Sequence, residues 1–433
     1  APLAAAMEWL AKLASETRRN VPDSGVADIT DAYANGGWHA DDALMRATGA
    51  VKDAVDIALI GKAALAVYRD WLEVGAERFQ HAVREDPAAY VVQPLDQWAE
   101  GTCVLFTDGL RMDVAHRLSD RLTSAGIDAT VTARLTALPS MTPTAKPAAS
   151  PASGSYGTGS GFTPNVAGTG KAFTAEGLRH EVGVLGYQEL ESDSLGEPAG
   201  RAWGEQGDID TLGHKQQAKL PALLDGEVMA LASRIQDLLN AGWKQVVVVT
   251  DHGWLYLPGG LPGAELAQHL AEDRLRKGRA ARLAPGADVA IQTVPWFWDA
   301  TVQIAVAPGI RSFVGTPVYE HGGLSPQECV TPVVIATRAA GGGGTMTVTY
   351  DWAGLRARVV VANAPDGCQV DLRRKAGDPS ASVCGGPAPV GAGESVSLLV
   401  TDEDLIGTPA FLVAISSGGS LLAEHLVVVG GQA

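Results

Sequence analysis

The architecture of this protein is predicted most directly by the stretch Gln245-Val-Val-Val-Val-Thr-Asp-His-Gly-Trp254. Its four consecutive valines are typical of a strand that is buried on both faces, as in a parallel sheet. Asp251 and His252 follow at once, and open α/β sheets place their chemistry at the carboxyl ends of such strands. Carboxylate and imidazole groups are ligands for divalent metals such as zinc. Taken alone, the stretch equally fits a polar turn in which Gly253 adopts an unusual φ angle.

Length, charge and cysteine content limit the class of protein. A chain of 433 residues is too long for one ordinary domain, so two or three domains are expected. The net charge of −16 argues against a free-standing nucleic-acid binder that acts by neutralising phosphates, but it leaves room for an enzyme with a local basic patch. Four cysteines without a CxxC pair fit a reducing cytoplasm better than a disulfide framework.

The ends of the chain and its hydropathy lead to two more expectations. No apolar run is long enough to span a membrane, so we expect no membrane segment. The chain starts inside a helical pattern, without an initiator methionine and without the basic start of a signal peptide. We therefore expect a cytoplasmic protein that is part of a longer polypeptide.

Residue patterning divides the chain into three regions. Residues 1–100 have helical periodicity, which predicts a module for packing or partner binding. Residues 101–338 alternate apolar strands with amphipathic helices, which predicts an α/β domain with a mostly parallel sheet. Within them, residues 144–172 are rich in Ser, Gly and Pro and predict a flexible loop, either a lid or a tolerated insertion. After a Gly-rich linker at 339–344, residues 345–433 predict five or six short strands of a small β-sandwich.

Three further motifs contain groups that commonly bind metals. Asp108 follows an apolar strand and precedes a helix, so it is expected at the carboxyl edge of the sheet unless it serves only in an Asp-Gly turn. Asp210 and His214 are four residues apart, and one helical turn would point both at one ion. The competing interpretation is a helix that is capped by Asp210. His321 precedes two glycines, which allow the backbone to turn tightly.

A candidate nucleophile and a candidate anion-binding edge complete the set. Thr142 lies between Pro-Ser-Met and Pro143, where the backbone is constrained. Its hydroxyl is a nucleophile only where a metal or a base removes its proton, and the alternative is a plain Pro-rich turn. A basic cluster after the valine strand indicates either a solvated face or a site for a phosphorylated substrate. The residues expected at such a site are Lys277, Arg279 and Arg282.

The order and contexts of these residues resemble the alkaline phosphatase superfamily. The shared features are an Asp-Gly pair after the first strand, a Thr in a Pro-Ser-x-Thr turn, an Asp-x-x-x-His, an Asp-His-Gly and a final His-Gly. Within it, the chain resembles the PglZ family of phage-defence systems (phage growth limitation and BREX). That resemblance covers about residues 100–338 and is carried by Asp108-Gly-Leu-Arg111 with Asp113, Lys277-Gly-Arg-Ala-Ala-Arg-Leu283 and His321-Gly-Gly-Leu-Ser-Pro-Gln-Glu328.

The resemblance implies an alkaline-phosphatase-like sheet and two divalent metal ions, zinc or alternatively manganese. Thr142 would be the nucleophile. The ligands of one ion would be Asp210, His214 and His321. The ligands of the other would be Asp108, Asp251, His252 and the Thr142 oxygen.

The implied activity is phosphoryl-transfer hydrolysis, most simply by a phosphodiesterase or nuclease. Its partners would be a phosphodiester, such as nucleic acid, and the other proteins of a defence complex. One alternative is a scaffold of that complex whose metals are structural, although a scaffold has no need for the Thr142 nucleophile. Another is a phosphomonoesterase that recognises a terminal phosphate through Arg111. A sulfatase is disfavoured because no Cys or Ser heads a Cys/Ser-x-Pro-x-Arg motif.

Overall fold

A computed structural model shows two compact units, Ala1–Thr337 and Arg338–Ala433. Among the residues that the structure describes, no helix is long and apolar enough to cross a membrane. The described residues are 2–95, 98–267, 270–276, 278–338, 346–365, 367–391 and 394–431.

The first unit contains ten α-helices and fourteen strands within the described residues. The helices are α1 (Pro2–Glu16), α2 (Val26–Ala32), α3 (Trp38–Gly49), α4 (Ala54–Glu85), α5 (Met112–Ser124), α6 (Thr142–Ala148), α7 (Ala175–Val184), α8 (Ile209–Gln216), α9 (Leu224–Asn240) and α10 (Pro326–Cys329). The strands are β1 (Thr102–Asp108), β2 (Ile127–Leu135), β3 (Tyr156–Ser160), β4 (Thr163–Val166), β5 (Tyr187–Leu190), β6 (Arg201–Asp208), β7 (Gln245–Val249), β8 (Leu255–Tyr256), β9 (Ala271–Arg276), β10 (Ala280–Leu283), β11 (Thr293–Trp296), β12 (Asp299–Val306), β13 (Tyr319–Glu320) and β14 (Val330–Arg338).

A six-stranded sheet with the order β2-β14-β7-β1-β6-β5 forms the centre of this unit. The pairings β7/β1, β1/β6 and β6/β5 are parallel, and β14 pairs antiparallel with β7. Val246 and Val248 of β7 join a core that includes α5, α9 and the N-terminal helices. Val247 and Val249 point the other way, into a core with α7. The predicted α/β class, with a mostly parallel sheet covered on both faces, is confirmed.

The N-terminal helices pack directly on this α/β part of the chain. Arg117 of α5 donates to the Asp42 carboxylate of α3 at 2.6 Å. The buried amide of Gln80, on α4, donates to the carbonyl oxygens of Gly309 and Leu324, at 3.1 Å each, and accepts from the Gly309 N–H at 2.8 Å. Because these groups are buried, their hydrogen bonds are needed to offset desolvation. The expected helical region is present as four α-helices between Pro2 and Glu85, and these helices belong to the same compact unit as the sheet.

A buried carboxylate in these helices makes stability depend on pH. Asp41 accepts hydrogen bonds from the hydroxyls of Tyr33 and Tyr68, and burial raises its pKa from 3.8 to about 6. The folded state therefore binds more protons than the unfolded state between these values, so the free energy of unfolding falls as the pH rises through this window.

We expect Asp41→Asn to remove part of this fall, because an amide does not titrate. Urea unfolding at about pH 4.5 and about pH 7 would measure it, with the exposed Asp70→Asn as a control. An unchanged difference between the two pH values would contradict the role of Asp41.

Residues 144–172 differ from the expected flexible loop because they contain regular structure. Helix α6 covers the first of them, and β3 and β4 form an antiparallel hairpin that turns at Gly161 with a φ of 61°. The Thr144 hydroxyl donates to the Phe162 carbonyl at 2.8 Å, and the Trp298 indole donates to the Thr144 carbonyl at 2.9 Å. The Gly and Pro content therefore permits tight turns, and tertiary hydrogen bonds order the segment.

The described part of the second unit contains seven strands in two antiparallel sheets. The strands are β15 (Thr347–Ala353), β16 (Arg356–Ala362), β17 (Gln369–Arg373), β18 (Ala388–Pro389), β19 (Ser395–Leu399), β20 (Pro409–Ile415) and β21 (Leu421–Val428). One sheet has the order β15-β16-β19 and the other β18-β17-β20-β21, and their apolar faces share one core. The small β-sandwich expected for 345–433 is present, with seven strands in its described residues where five or six were predicted. The predicted linker at 339–344 lies outside the described residues.

Candidate metal centre

Three neighbouring parallel strands end at one edge of the central sheet and place the candidate ligands there. Asp108 is the last residue of β1, and Asp251 and His252 follow β7. Strand β6 ends at Asp208, whose carboxylate accepts from the Thr211 N–H at 2.8 Å and so caps α8. The helix is therefore capped by Asp208, and Asp210 is free to face the same edge.

A first group forms around His252, which is fully buried. Its Nε2 lies 3.6 Å from Asp108 Oδ1, 3.6 Å from Asp251 Oδ2 and 3.2 Å from the Thr142 hydroxyl. Its Nδ1 lies 3.0 Å from the Gly253 carbonyl oxygen, which can only accept. Nδ1 therefore carries the proton, and Nε2 keeps a lone pair for a ligand.

Close packing, and not an unusual φ angle, requires a glycine at the third position of the Asp-His-Gly turn. A Cβ atom at Gly253 would lie 2.0 Å from the carbonyl oxygen of Gln327. The backbone that follows His252 consequently packs against the segment after His321 with no space for a side chain. This close approach brings two distant motifs together.

A second group contains Asp210, His214 and His321. Asp210 Oδ1 lies 3.5 Å from His214 Nε2 and 3.3 Å from His321 Nε2, and the two imidazole nitrogens are 3.2 Å apart. The Tyr319 hydroxyl donates to Asp210 Oδ1 at 2.8 Å, and His321 Nδ1 donates to the Ser140 carbonyl at 3.1 Å. The hydrogen bonds with Tyr319 and Ser140 orient the ligand atoms of Asp210 and His321 toward one another.

The two groups of candidate ligands are adjacent, because His252 of the first contacts His321 of the second. The rings of His252 and His321 stack with centroids 3.8 Å apart and an interplanar angle of 6°. Ligand atoms of Asp210, His252 and His321 lie within 4.8 Å of one another. The structure thus brings together all seven residues that the sequence indicated, since Thr142 and Asp108 also contact or face His252.

The electrostatics of the centre favour a bound cation. Burial, and then the neighbouring Asp251 carboxylate, raise the pKa of Asp108 to about 8. Burial, and then Asp210, raise the pKa of Asp251 to about 6. Although burial opposes it, His321, His252 and His214 keep the pKa of Asp210 below its usual range. Two of the three carboxylates are therefore costly to ionise without a counter-charge.

Unpartnered oxygens test whether these residues fit a metal. Within the described residues, Asp108 Oδ1 and Asp251 Oδ2 are buried without a hydrogen-bond partner. These are the same two oxygens that face His252 Nε2. Oxygen and imidazole nitrogen donors suit zinc or manganese, so the residues fit a divalent metal.

Arg111 lies beneath the centre, and its guanidinium is already fully engaged. It is completely buried, donates to both Asp113 carboxylate oxygens at 2.6 and 2.9 Å, and donates to the Trp254 carbonyl at 3.3 Å. It also stacks over the Trp254 ring at 3.6 Å. The expected role of Arg111 in binding a phosphate is therefore not supported, because burial and the Asp113 pair leave no accessible donor.

The arginines that were expected to form an anion-binding edge are bound to other groups of the protein. Arg279 is completely buried and donates to both carboxylate oxygens of Glu328, at 3.0 and 2.8 Å. Arg282 donates to the Gly161 carbonyl at 2.6 Å, at the turn of the β3–β4 hairpin. Lys277 lies outside the described residues. Arg279 thus does not face a substrate, because it forms an internal ion pair.

The Arg279–Glu328 pair stabilises the loop that positions His321. Glu328 also accepts from the Gly323 N–H at 2.8 Å and the Ser325 hydroxyl at 2.6 Å. Although burial opposes it, Arg279 keeps the pKa of Glu328 below its usual range. The His-Gly-Gly-Leu-Ser-Pro-Gln-Glu motif therefore contains both the candidate ligand His321 and the residue, Glu328, that holds its loop in place.

We expect Arg279→Ala to lower the free energy of unfolding by about 3–5 kcal/mol, because it leaves Glu328 as an unpaired buried charge. Urea unfolding would measure the loss, with Arg69→Ala on the exposed face of α4 as the matched control. Equal midpoints for the two variants would show that the pair is not important for stability.

Lys146 was not predicted from the sequence, although it lies beside the centre. Its ammonium is 2.8 Å from Glu205 Oε2 and 4.3 Å from the centroid of the Phe106 ring. Its positive charge opposes the rise in the pKa of Asp251. The available signal was its position four residues after Thr142, one helical turn along α6.

Comparisons with known proteins give only distant likenesses. No protein-family model and no curated protein matches the sequence. The solved structure of human ectonucleotide pyrophosphatase/phosphodiesterase 5 has a TM-score of 0.37 at 12% identity, and it covers 55% of this chain and 88% of that chain. Its murine counterpart gives 0.37 and 12%, over 55% and 87%. Phosphonoacetate hydrolase from Sinorhizobium meliloti 1021 gives 0.34 and 13%, over 56% and 92%. At these values, similarity alone assigns neither a family nor an activity.

Proposed function

We propose that the protein is a metal-dependent phosphoryl-transfer hydrolase, most specifically a phosphodiesterase. One observation carries this proposal. The Thr142 hydroxyl lies 3.2 Å from His252 Nε2, and that nitrogen faces two buried carboxylate oxygens without hydrogen-bond partners. A nucleophile placed beside a set of atoms that suit a cation is typical of metal-assisted displacement at phosphorus.

The ligand assignment follows the two groups in the structure. Asp210, His214 and His321 would bind one ion. Asp108, Asp251 and His252 would bind the other, beside the Thr142 oxygen. When bound, divalent metals provide charge stabilisation for the phosphoryl oxygens and lower the pKa of a coordinated hydroxyl.

The chain's own residues place the Thr142 hydroxyl beside the proposed ligands. The hydroxyl loses its proton to water, and its oxygen forms a bond to phosphorus as the ester oxygen of the leaving group departs with the bonding electrons and takes up a proton from water. The resulting phosphothreonine is then hydrolysed by water, which restores the Thr142 hydroxyl and releases the phosphate product. Lys146 places a fixed positive charge near Asp251 and limits repulsion within the carboxylate cluster.

The position of Arg111 favours a diester over a monoester. Recognition of a terminal phosphate usually requires a strong donor such as an accessible guanidinium. Arg111 is buried and paired with Asp113, so it does not provide that donor. A phosphodiester carries less charge and needs less compensation, and a nucleic-acid strand in a defence complex would be such a substrate. The support for that setting is the PglZ-like motifs in the sequence, and the cytoplasm remains the expected location.

A non-catalytic scaffold is the second candidate, since the same ligands would also support structural metals. Hydrolysis of a bis-aryl and a mono-aryl phosphate ester by the metal-loaded protein separates the candidates. We expect the diester to be hydrolysed faster. Preference for the monoester would contradict the diesterase assignment, and two bound metals without turnover of a panel of esters and oligonucleotides would favour the scaffold.

A further inference from the structure

Glu320 lies beside the ligand groups but has no part in the catalysis described above. Its carboxylate and ring nitrogens of His214 and His321 all lie within 4.8 Å of one another. We propose that Glu320 is an additional ligand of the ion that Asp210, His214 and His321 would bind, and that it shifts this position toward manganese. The inference rests on the proposed metal-dependent hydrolase and extends its ligand set.

Local geometry places the Glu320 carboxylate at this position. Its Oε1 accepts a hydrogen bond from the His321 N–H at 3.1 Å, which fixes the side chain next to the neighbouring ring. The chain turns immediately afterwards, at Gly322 with a φ of 103°. Adjacent residues of a strand normally point to opposite faces. Here β13 ends at Glu320, so the carboxylate and the following imidazole can approach the same point.

The space around the carboxylate depends on a glycine. A Cβ atom at Gly278 would lie 2.1 Å from Glu320 Oε2. Any side chain at position 278 would therefore displace the carboxylate from its present position. A glycine that leaves room for a carboxylate beside two imidazoles is independent support for a ligand role.

The charges of the proposed ligands explain why the ion near Asp210 would take a fourth ligand. The group around His252 contains two carboxylates, Asp108 and Asp251, which together match the charge of one divalent ion. The other group contains one carboxylate, Asp210, with two neutral imidazoles. Adding Glu320 gives each ion two carboxylates. It also raises the share of oxygen ligands, which manganese prefers more strongly than zinc does.

The experiment measures binding of Mn²⁺ alone and Zn²⁺ alone to the full chain and to Glu320→Gln by titration calorimetry. Glutamine keeps an oxygen that can accept from the His321 N–H, so the variant removes charge and ligation but retains that hydrogen bond. We expect Mn²⁺ affinity at one site to fall by at least about tenfold, with a smaller loss for Zn²⁺.

The matched control is Glu189→Gln, which removes an exposed carboxylate from strand β5 of the central sheet. Equal losses of Mn²⁺ affinity in both variants, or no loss in Glu320→Gln, would overturn the ligand role. If the wild type binds metal and hydrolyses the diester while Glu320→Gln matches it in metal affinity, this inference fails and the proposed function stands. If the wild type binds neither metal, both fail.

Discussion

Replacing Thr142 with alanine is expected to reduce diester hydrolysis by at least about a thousandfold, while most of the bound metal is retained. The hydroxyl lies 3.2 Å from His252 Nε2 and is the proposed nucleophile, whereas the neighbouring imidazoles and carboxylates are the proposed metal ligands. The imidazole and carboxylate ligands remain in the variant. The measurement is the turnover of a bis-aryl phosphate, together with metal content by mass spectrometry of the purified protein.

Two further variants distinguish a missing nucleophile from a disturbed fold. Thr142→Ser keeps the hydroxyl and should retain a substantial part of the activity. Thr158→Ala removes an exposed threonine that donates to Asp299 and should behave as the wild type. Full activity in Thr142→Ala would show that the threonine is not the nucleophile, and water would then be the attacking group.

Replacing His252 with alanine is expected to lower metal content at both positions and to abolish diester hydrolysis. His252 Nε2 belongs to the group with Asp108 and Asp251, and it also lies within ligand distance of Asp210 and His321. Its ring stacks on His321, so its loss also removes a packing partner of a second ligand. We expect metal affinity to fall by more than about a hundredfold, because loss of an outer-shell partner alone costs up to that much.

The metal content of His252→Ala should be compared with that of His180→Ala, which removes an exposed histidine from α7. Circular dichroism of both variants checks that the sheet is intact. Wild-type metal content in His252→Ala would refute its place in the centre. Loss at only one position would show that the two groups bind their ions independently.

Local sequence was sufficient to predict the strands and the site residues that lie at their ends. The valine run of β7 has no polar residue to expose, so it predicts burial on both faces. Asp108 and Asp251 follow such runs directly, and parallel strands present their carboxyl ends at one edge. Strands β5 and β6 were less visible, because Tyr187–Asp208 is polar and lacks a clear alternation. They form strands because β6 pairs with β1 and β5 pairs with β6.

What the sequence by itself determined is the class of the fold and the identity of the candidate ligands, because both depend on short-range order along the chain. Only the tertiary structure decided the roles of the arginines. Arg279 is 49 residues from its partner Glu328, and Arg111 is covered by Trp254 from a different strand end. Because both guanidinium groups are buried and held by distant residues, they stabilise the fold and do not face a substrate. The same long-range packing brings Glu320 and Lys146 to the centre, since neither carries a local signal strong enough to separate it from an ordinary surface charge.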